Sequence, residues 1–164
     1  EILKIALKNK PNFICIVPEK RKEITTEGGL NLSKYKSKIA NIILKFKKRN
    51  IRTSLFIDPN LKDVKIAKKL DVDCIELHTG KISNLVKNKK NFQNELNKIK
   101  KCCLLARKIG IEVHAGHGLD YKTTAILKKI PEIVEFNIGH FIIGEAITCG
   151  LDKTIKRFKK ILNK

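Results

Sequence analysis

The sequence has no tryptophan, no methionine and few aromatic residues, which make up 5% of its 164 positions. Proteins that bind single-stranded nucleic acid stack bases on aromatic side chains, so this shortage removes an obvious stacking platform. No apolar run approaches the roughly 18 residues that a membrane-spanning helix needs. The opening segment, EILKIALKNK, is amphipathic and unlike a signal peptide. These absences predict a cytoplasmic chain with no membrane span.

Disulfide and zinc signatures are also missing. The five cysteines are odd in number and form no C-x-x-C, and Cys15 and Cys74 lie in apolar runs. Such a pattern is typical of reduced, buried thiols in a cytosolic protein. No carboxylate-rich metal signature stands out, so we expect no bound metal.

Acidic residues are scarce, 16 against 36 Lys and Arg, which gives a net charge of +20 and a pI of about 9.9. A charge of this size is compatible with a non-catalytic anion-binding or nucleic-acid-binding module. The lysines are spread over every predicted helix, however, which favours a generally lysine-rich composition over a nucleic-acid surface. Part of the charge can still attract anionic substrates.

Short apolar runs, typical of buried parallel strands, alternate with helical patterns along the chain. We predict strands at 13–17, 53–57, 74–78, 111–114 and 134–138, and helices at 2–8, 33–49, 58–70, 92–109, 120–129 and 142–162. The fold class is α/β, and the alternation predicts parallel β/α units. A complete (β/α)8 TIM-type barrel needs about 250 residues. We therefore expect an incomplete barrel of about five units, a single partial domain over 1–164 without its amino-terminal strands. An open doubly wound sheet is the competing arrangement.

All four histidines, His78, His114, His117 and His140, lie at or just past the carboxyl end of a predicted strand. Active sites of β/α folds form at that edge. Three strands also share a pattern, Glu-x-His or Glu-x-Asn, that begins at Glu76, Glu112 and Glu135. Because strand side chains alternate between faces, these polar pairs share one face, where a structural polar layer is the simplest interpretation of the glutamates.

Two strand ends carry glycine next to histidine, in Gly116-His117-Gly118 and in Gly139-His140. Glycine lets backbone N–H groups approach a ligand, and the helix after Gly139 adds a positive dipole end. The last two loops of such barrels commonly bind phosphate. His117 is a candidate general acid or base because imidazole titrates near neutrality. A metal site from His114 and His117 is disfavoured, since three residues apart on a strand they point to opposite faces.

Five motifs together resemble the pyridoxine 5′-phosphate synthase family: VPEKRKEITTEGGL (17–30), SLFID (54–58), IELHTG (75–80), VHAGHGL (113–119) and EFNIGHFIIGEAITCGL (135–151). The resemblance implies a transferase-class enzyme that condenses 1-deoxy-D-xylulose 5-phosphate with 3-amino-2-oxopropyl phosphate. The products are pyridoxine 5′-phosphate, phosphate and water. It further implies a homo-octamer in the cytosol that uses neither an organic cofactor nor a catalytic metal.

The matching positions imply particular roles. His117 is the proton donor, Gly118 contacts substrate, and Gly139 with His140 holds a substrate phosphate. Thr25 contacts substrate from the thirteen-residue loop 18–30, which the resemblance makes a lid rather than a solvated basic loop. The family's other groups, an asparagine, an Asp-His pair, an arginine, a His-x-Arg group and a catalytic glutamate, have no match here. We therefore expect the isolated chain to be inactive. A different phosphate-binding barrel enzyme is the remaining enzymatic alternative.

Overall fold

The computed structural model describes residues 2–18 and 28–163. These residues form eight helices and five strands. In chain order they are α1 (Ile2–Asn9), β1 (Phe13–Ile16), α2 (Leu32–Lys47), β2 (Arg52–Ile57), α3 (Leu61–Lys69), β3 (Cys74–His78), α4 (Gly80–Lys87), α5 (Gln93–Lys108), β4 (Glu112–Gly116), α6 (Tyr121–Leu127), β5 (Ile133–Asn137), α7 (His140–Cys149) and α8 (Leu151–Leu162).

The strands form one parallel sheet in the order β1-β2-β3-β4-β5. Sequential order with right-handed crossovers places the connecting helices on one face of the sheet. A doubly wound sheet reverses its strand order partway, and this sheet does not. The prediction of an incomplete TIM-type barrel with five strands is therefore confirmed, and the doubly wound alternative is wrong.

The apolar core lies between one face of the sheet and the helices. Leu77 and Val113 project into it with at most 1% of their surface exposed, and Phe136 packs against it. Ile43 of α2 and Ile99 of α5 cover it from the helix side. Burying a side chain of this size contributes about 1.5–3 kcal/mol. The opposite face of the sheet carries the polar residues, as strand alternation predicted.

The prediction that α3 starts at the Asp58-Pro59 cap is wrong. Asn60 is the cap, and its side chain accepts the backbone N–H of Asp63 at 2.8 Å. The Asp58 carboxylate instead accepts the N–H of Gly29 at 3.1 Å and faces the edge of the sheet. Asp58 therefore belongs to the strand-end region described below.

The helix predicted at 142–162 is two helices, α7 and α8. Gly150 separates them with φ of +85°, a conformation that glycine adopts without steric cost. The hydroxyl of Thr154 then donates to the Gly150 carbonyl at 2.9 Å in the first turn of α8. Helix α4 has no counterpart among the helices predicted from the sequence. In the described parts of the chain, no helix combines the length and apolar character needed to cross a bilayer.

Candidate active site

A cleft of about 760 Å³ opens at the carboxyl ends of β3, β4 and β5. Four of the residues predicted to form the site, His117, Gly118, Gly139 and His140, line it together. They come from two loops, one after β4 and one after β5, that adjacent parallel strands bring side by side. The fifth, Thr25, lies outside the residues that the structure describes.

The loop after β4 has an unusual backbone. His117 has φ of +76°, in the left-handed region that costs a non-glycine residue about 1–3 kcal/mol. The buried Thr79 holds this turn: its hydroxyl lies 2.8 Å from the Gly116 carbonyl oxygen and 2.7 Å from that of His117. Gly118 follows with φ of +73°, and a Cβ there would lie 3.1 Å from Cα of Gly80. The strained turn thus aims the His117 side chain into the cleft.

The imidazole of His117 lies among other rings. Its centroid is 4.9 Å from that of His78 and 6.4 Å from that of Phe56. Burial lowers the pKa of His117, and positive charge on His78 and His140 lowers it further. His117 therefore favours the neutral form, and its protonated form is a stronger acid than an ordinary imidazolium.

The loop after β5 leads into a helix start. Gly139 is the N-cap of α7, and His140 is its first residue. The first N–H groups of a helix have no partner within the helix, and with the dipole they favour an anion. A Cβ at Gly139 would meet no atom within 4 Å, so the space beside it is open. The exposed His140 can add a hydrogen bond from the same place.

Glu76, which the strand pattern assigns only to a structural polar layer, also lines the cleft. Its carboxylate accepts the Asn137 amide at 2.9 Å and lies 3.6 Å from the Cys15 thiol. Burial raises the pKa of Glu76. The signal for its position was present, because Glu76 shares a sheet face with His78 and lies only two residues before it.

Gly116 makes room for this carboxylate. A Cβ at residue 116 would lie 1.9 Å from Oε1 of Glu76 and 3.2 Å from Cβ of Asn137. Glu76 could escape this clash only by moving, which would disturb its hydrogen bond to Asn137. A side chain at residue 116 is therefore incompatible with the site as it stands.

We expect Gly116→Ala to lower the free energy of unfolding by about 1–3 kcal/mol, the usual cost of overpacking. Gly144→Ala is the matched control, because a Cβ there meets nothing within 4 Å and the residue lies inside α7. The control should be neutral or stabilising by roughly 0.5–1 kcal/mol. Urea unfolding of both variants measures the difference, and equal stability of the two would contradict the packing argument.

Another polar cluster lies on the same sheet face, nearer the amino ends of the strands. Ligand-type atoms of Cys74, Glu112 and His114 lie within 4.8 Å of one another. Arg52 already supplies positive charge, 3.3 Å from the Cys74 sulfur and 3.0 Å from the Glu112 carboxylate. Burial raises the pKa of Cys74 to about 12, which keeps the thiol protonated. Arg52 and Glu112 form an ion pair here, and the Cys74 thiol lies 3.6 Å from the same carboxylate.

His114 occupies the middle of this cluster, as expected of the polar layer. Its Nε2 lies 2.8 Å from Glu112 and its Nδ1 lies 3.4 Å from Glu135. The hydrogen bond with His114 is the main cause of the lowered pKa of Glu112. Glu112 is thus hydrogen-bonded to the histidine of its own strand, whereas Nδ1 of His114 makes no hydrogen bond within the described residues.

Comparison with known proteins matches the whole chain to one protein family. The family model described as pyridoxal phosphate biosynthesis protein PdxJ matches residues 1–164. A curated pyridoxine 5′-phosphate synthase from Pelagibacter ubique is 73% identical over 164 residues, which cover 100% of this chain and 69% of that protein. Synthases from Zymomonas mobilis and Blochmanniella floridana are 44% and 43% identical over 99% of the chain. The chain spans 63% and 65% of their lengths.

Proposed function

Because the chain belongs to the PdxJ family, whose curated relatives are pyridoxine 5′-phosphate synthases, we propose that its cleft is the phosphate-binding and proton-transfer region of such an enzyme. The reaction joins 1-deoxy-D-xylulose 5-phosphate to 3-amino-2-oxopropyl phosphate and releases phosphate and water. Both substrates are anions, which suits a chain with a net charge of +20.

One observation carries this proposal. Four residues that match the motifs of the family, His117, Gly118, Gly139 and His140, come from separate segments and line a single cleft. A helix start and a titratable imidazole in one cleft are what a phosphorylated substrate needs for binding and for proton transfer.

His117 is the proposed proton donor. Loss of water from a carbon–oxygen bond is easier when the departing hydroxyl takes up a proton as the bond breaks, and a nearby imidazolium supplies it. The lowered pKa of His117 makes its protonated form a better donor but a scarcer one at neutral pH. The imidazole must therefore gain a proton, from solvent or from an earlier step, before each donation.

In this proposal the loop after β5 binds phosphate. The N–H groups at the start of α7, with Gly139 and His140, hold a substrate phosphate, and Gly118 contacts substrate from the first loop. Thr25 is a further proposed contact from the loop 18–30, on the strength of the family motif alone. No cofactor or metal is assigned a role.

The cellular setting is proposed on the same family basis. We place the protein in the cytoplasm as a homo-oligomer, an octamer in its complete form, with residues 1–164 forming one partial barrel domain. Apolar surface is available for contact between copies: Ile143 and Ile147 on α7 are 64% and 85% exposed.

Inorganic phosphate tests the binding half of the proposal in the chain itself. His140→Ala should weaken phosphate binding roughly 10- to 100-fold, since a hydrogen bond to a charged group contributes about 1.5–3 kcal/mol. Lys153→Ala is the control, because it removes a positive charge from α8 and does not line the cleft. Equilibrium dialysis gives the affinities. Equal weakening in both variants would show general charge attraction in place of a site, and tight RNA binding unaffected by either would favour a nucleic-acid module.

A further inference from the structure

Three side chains at successive strand ends form a row that leads to His117. Asp58 follows β2, His78 ends β3 and His117 follows β4. Oδ1 of Asp58 lies 3.2 Å from Nδ1 of His78, and the rings of His78 and His117 lie 4.9 Å apart at 47°. Phe56 makes edge contacts with both rings, at 5.2 and 6.4 Å. His117 is thus packed against a histidine that a carboxylate holds.

The carboxylate determines which nitrogen of His78 carries the proton. The hydrogen bond with His78 lowers the pKa of Asp58, and the backbone N–H of Gly29 lowers it as well. Asp58 is therefore ionised at neutral pH and can only accept. Nδ1 of His78 must then carry a hydrogen. Its Nε2 is buried and has no hydrogen-bond partner among residues 2–18 and 28–163.

Gly80 provides the space in which the two rings meet. A Cβ at this position would lie 2.8 Å from Nε2 of His78 and 3.0 Å from Cδ2 of His117. The first distance is shorter than real Cβ contacts and the second is at the tight end of them, so a side chain here would push the rings away from their present positions. The sequence HTG, in which Gly80 follows His78 by two residues, thus favours the close approach of the rings.

We propose that Asp58 and His78 form a positioning pair for His117. The Asp58 carboxylate fixes the ring of His78, and that ring holds the His117 imidazole at the wall of the cleft. The ring contact also places any charge on His78 beside His117, which lowers the pKa of His117. Any effect of this pair on catalysis rests on the proposed role of His117 as proton donor. The packing of His78 against His117 does not depend on that role.

Other charged groups line the same spaces as His117. In the cleft these are Glu76, Lys87, Asp120 and His140. A smaller recess of about 530 Å³, also lined by His117, adds Lys81 and Lys90 beside His78. The His78 ring packs directly on that of His117, with centroids 4.9 Å apart, so a change at His78 should stand out against this background.

The test is a titration of the 15N-labelled 164-residue chain followed by NMR. In Asp58→Ala, His78 should lose its fixed Nδ1–H form and shift toward the Nε2–H form that free imidazole favours. In His78→Phe, which keeps an aromatic ring but no charge, His117 should titrate at a higher pH than in the parent chain. Asp152→Ala, which removes an exposed carboxylate on α8, should change neither.

Either of two results would overturn the proposal: an unchanged Nδ1–H form of His78 in Asp58→Ala, or an unchanged His117 titration in His78→Phe. Asp58 is half exposed and Phe at residue 78 can pack on Phe56, so both variants should fold. These readouts need neither substrate nor turnover. A chain that fails to bind phosphate would count against the proposed function and leave this test intact.

Discussion

His117→Asn should lower kcat about 10²- to 10⁴-fold, the range for loss of a general acid or base, in a joined protein that fuses this chain to the unmatched part of the Pelagibacter ubique relative. Asparagine is the suitable replacement because it tolerates a left-handed backbone better than most residues, and residue 117 has φ of +76°. The backbone of the loop is thereby kept while the proton is lost. Steady-state kinetics with both substrates measure the change.

The pH profile separates loss of the proton from general damage. A donor must be protonated, so kcat/KM of the joined protein should fall as pH rises through the pKa of His117. Burial and neighbouring positive charge place that pKa below the ordinary value for histidine. This fall of kcat/KM with rising pH should be absent in His117→Asn, whereas the affinity of the variant for inorganic phosphate should equal that of the parent protein. A kcat within a few-fold of the parent would contradict the assigned role.

The 164-residue chain alone should form no detectable pyridoxine 5′-phosphate. Its five strands leave the cleft open on one side, since in the described chain β1 pairs only with β2 and β5 only with β4. A barrel of this type closes with eight strands. The asparagine, arginine and glutamate groups that the family resemblance calls for also have no match in the sequence. We expect an open cleft without these groups to position both substrates poorly and so to lose most of the rate enhancement.

A direct assay of the purified chain with both substrates checks this expectation, with the joined protein as the positive control. Measurable product from the chain alone, above the rate without protein, would show that five β/α units suffice. Light scattering on the same sample is informative, because unpaired strand edges favour association between copies. A stable monomer would show that the edges of β1 and β5 are protected in solution.

Most of the fold follows from two periodicities in the sequence. Strand patterns placed β3 at its observed residues and β2 to within one residue, because both are buried runs bounded by clear breaks. The alternation of Glu and His with Leu77 and Val113 correctly divided the polar face from the core. Such predictions succeed where burial alone selects the residue type.

The predictions failed where a local contact overrides the pattern. Asp58-Pro59 has the composition of a helix start, but the Asp58 carboxylate binds Gly29 and His78 from across the sheet edge. The helix break at Gly150 is set by one positive φ within a continuous apolar pattern. The periodicity of apolar residues along a sequence reveals neither contacts between distant residues nor the value of a single dihedral angle.

The residues of the site could be predicted from the sequence, but their conformations and contacts could not. The motifs identified His117 and Gly139-His140, and strand ends placed them at one edge of the sheet. The strained backbone of His117, the row from Asp58 through His78 and the entry of Glu76 into the cleft depend on how adjacent strands are registered. Register is a property of the assembled sheet.

The most direct test of the central claim is product formation by the joined protein. If residues 1–164 carry the phosphate-binding and proton-transfer cleft of a pyridoxine 5′-phosphate synthase, the folded joined protein should convert both substrates to pyridoxine 5′-phosphate and one equivalent of inorganic phosphate. No product from a folded joined protein, under conditions in which the Pelagibacter ubique relative turns over, would contradict the claim.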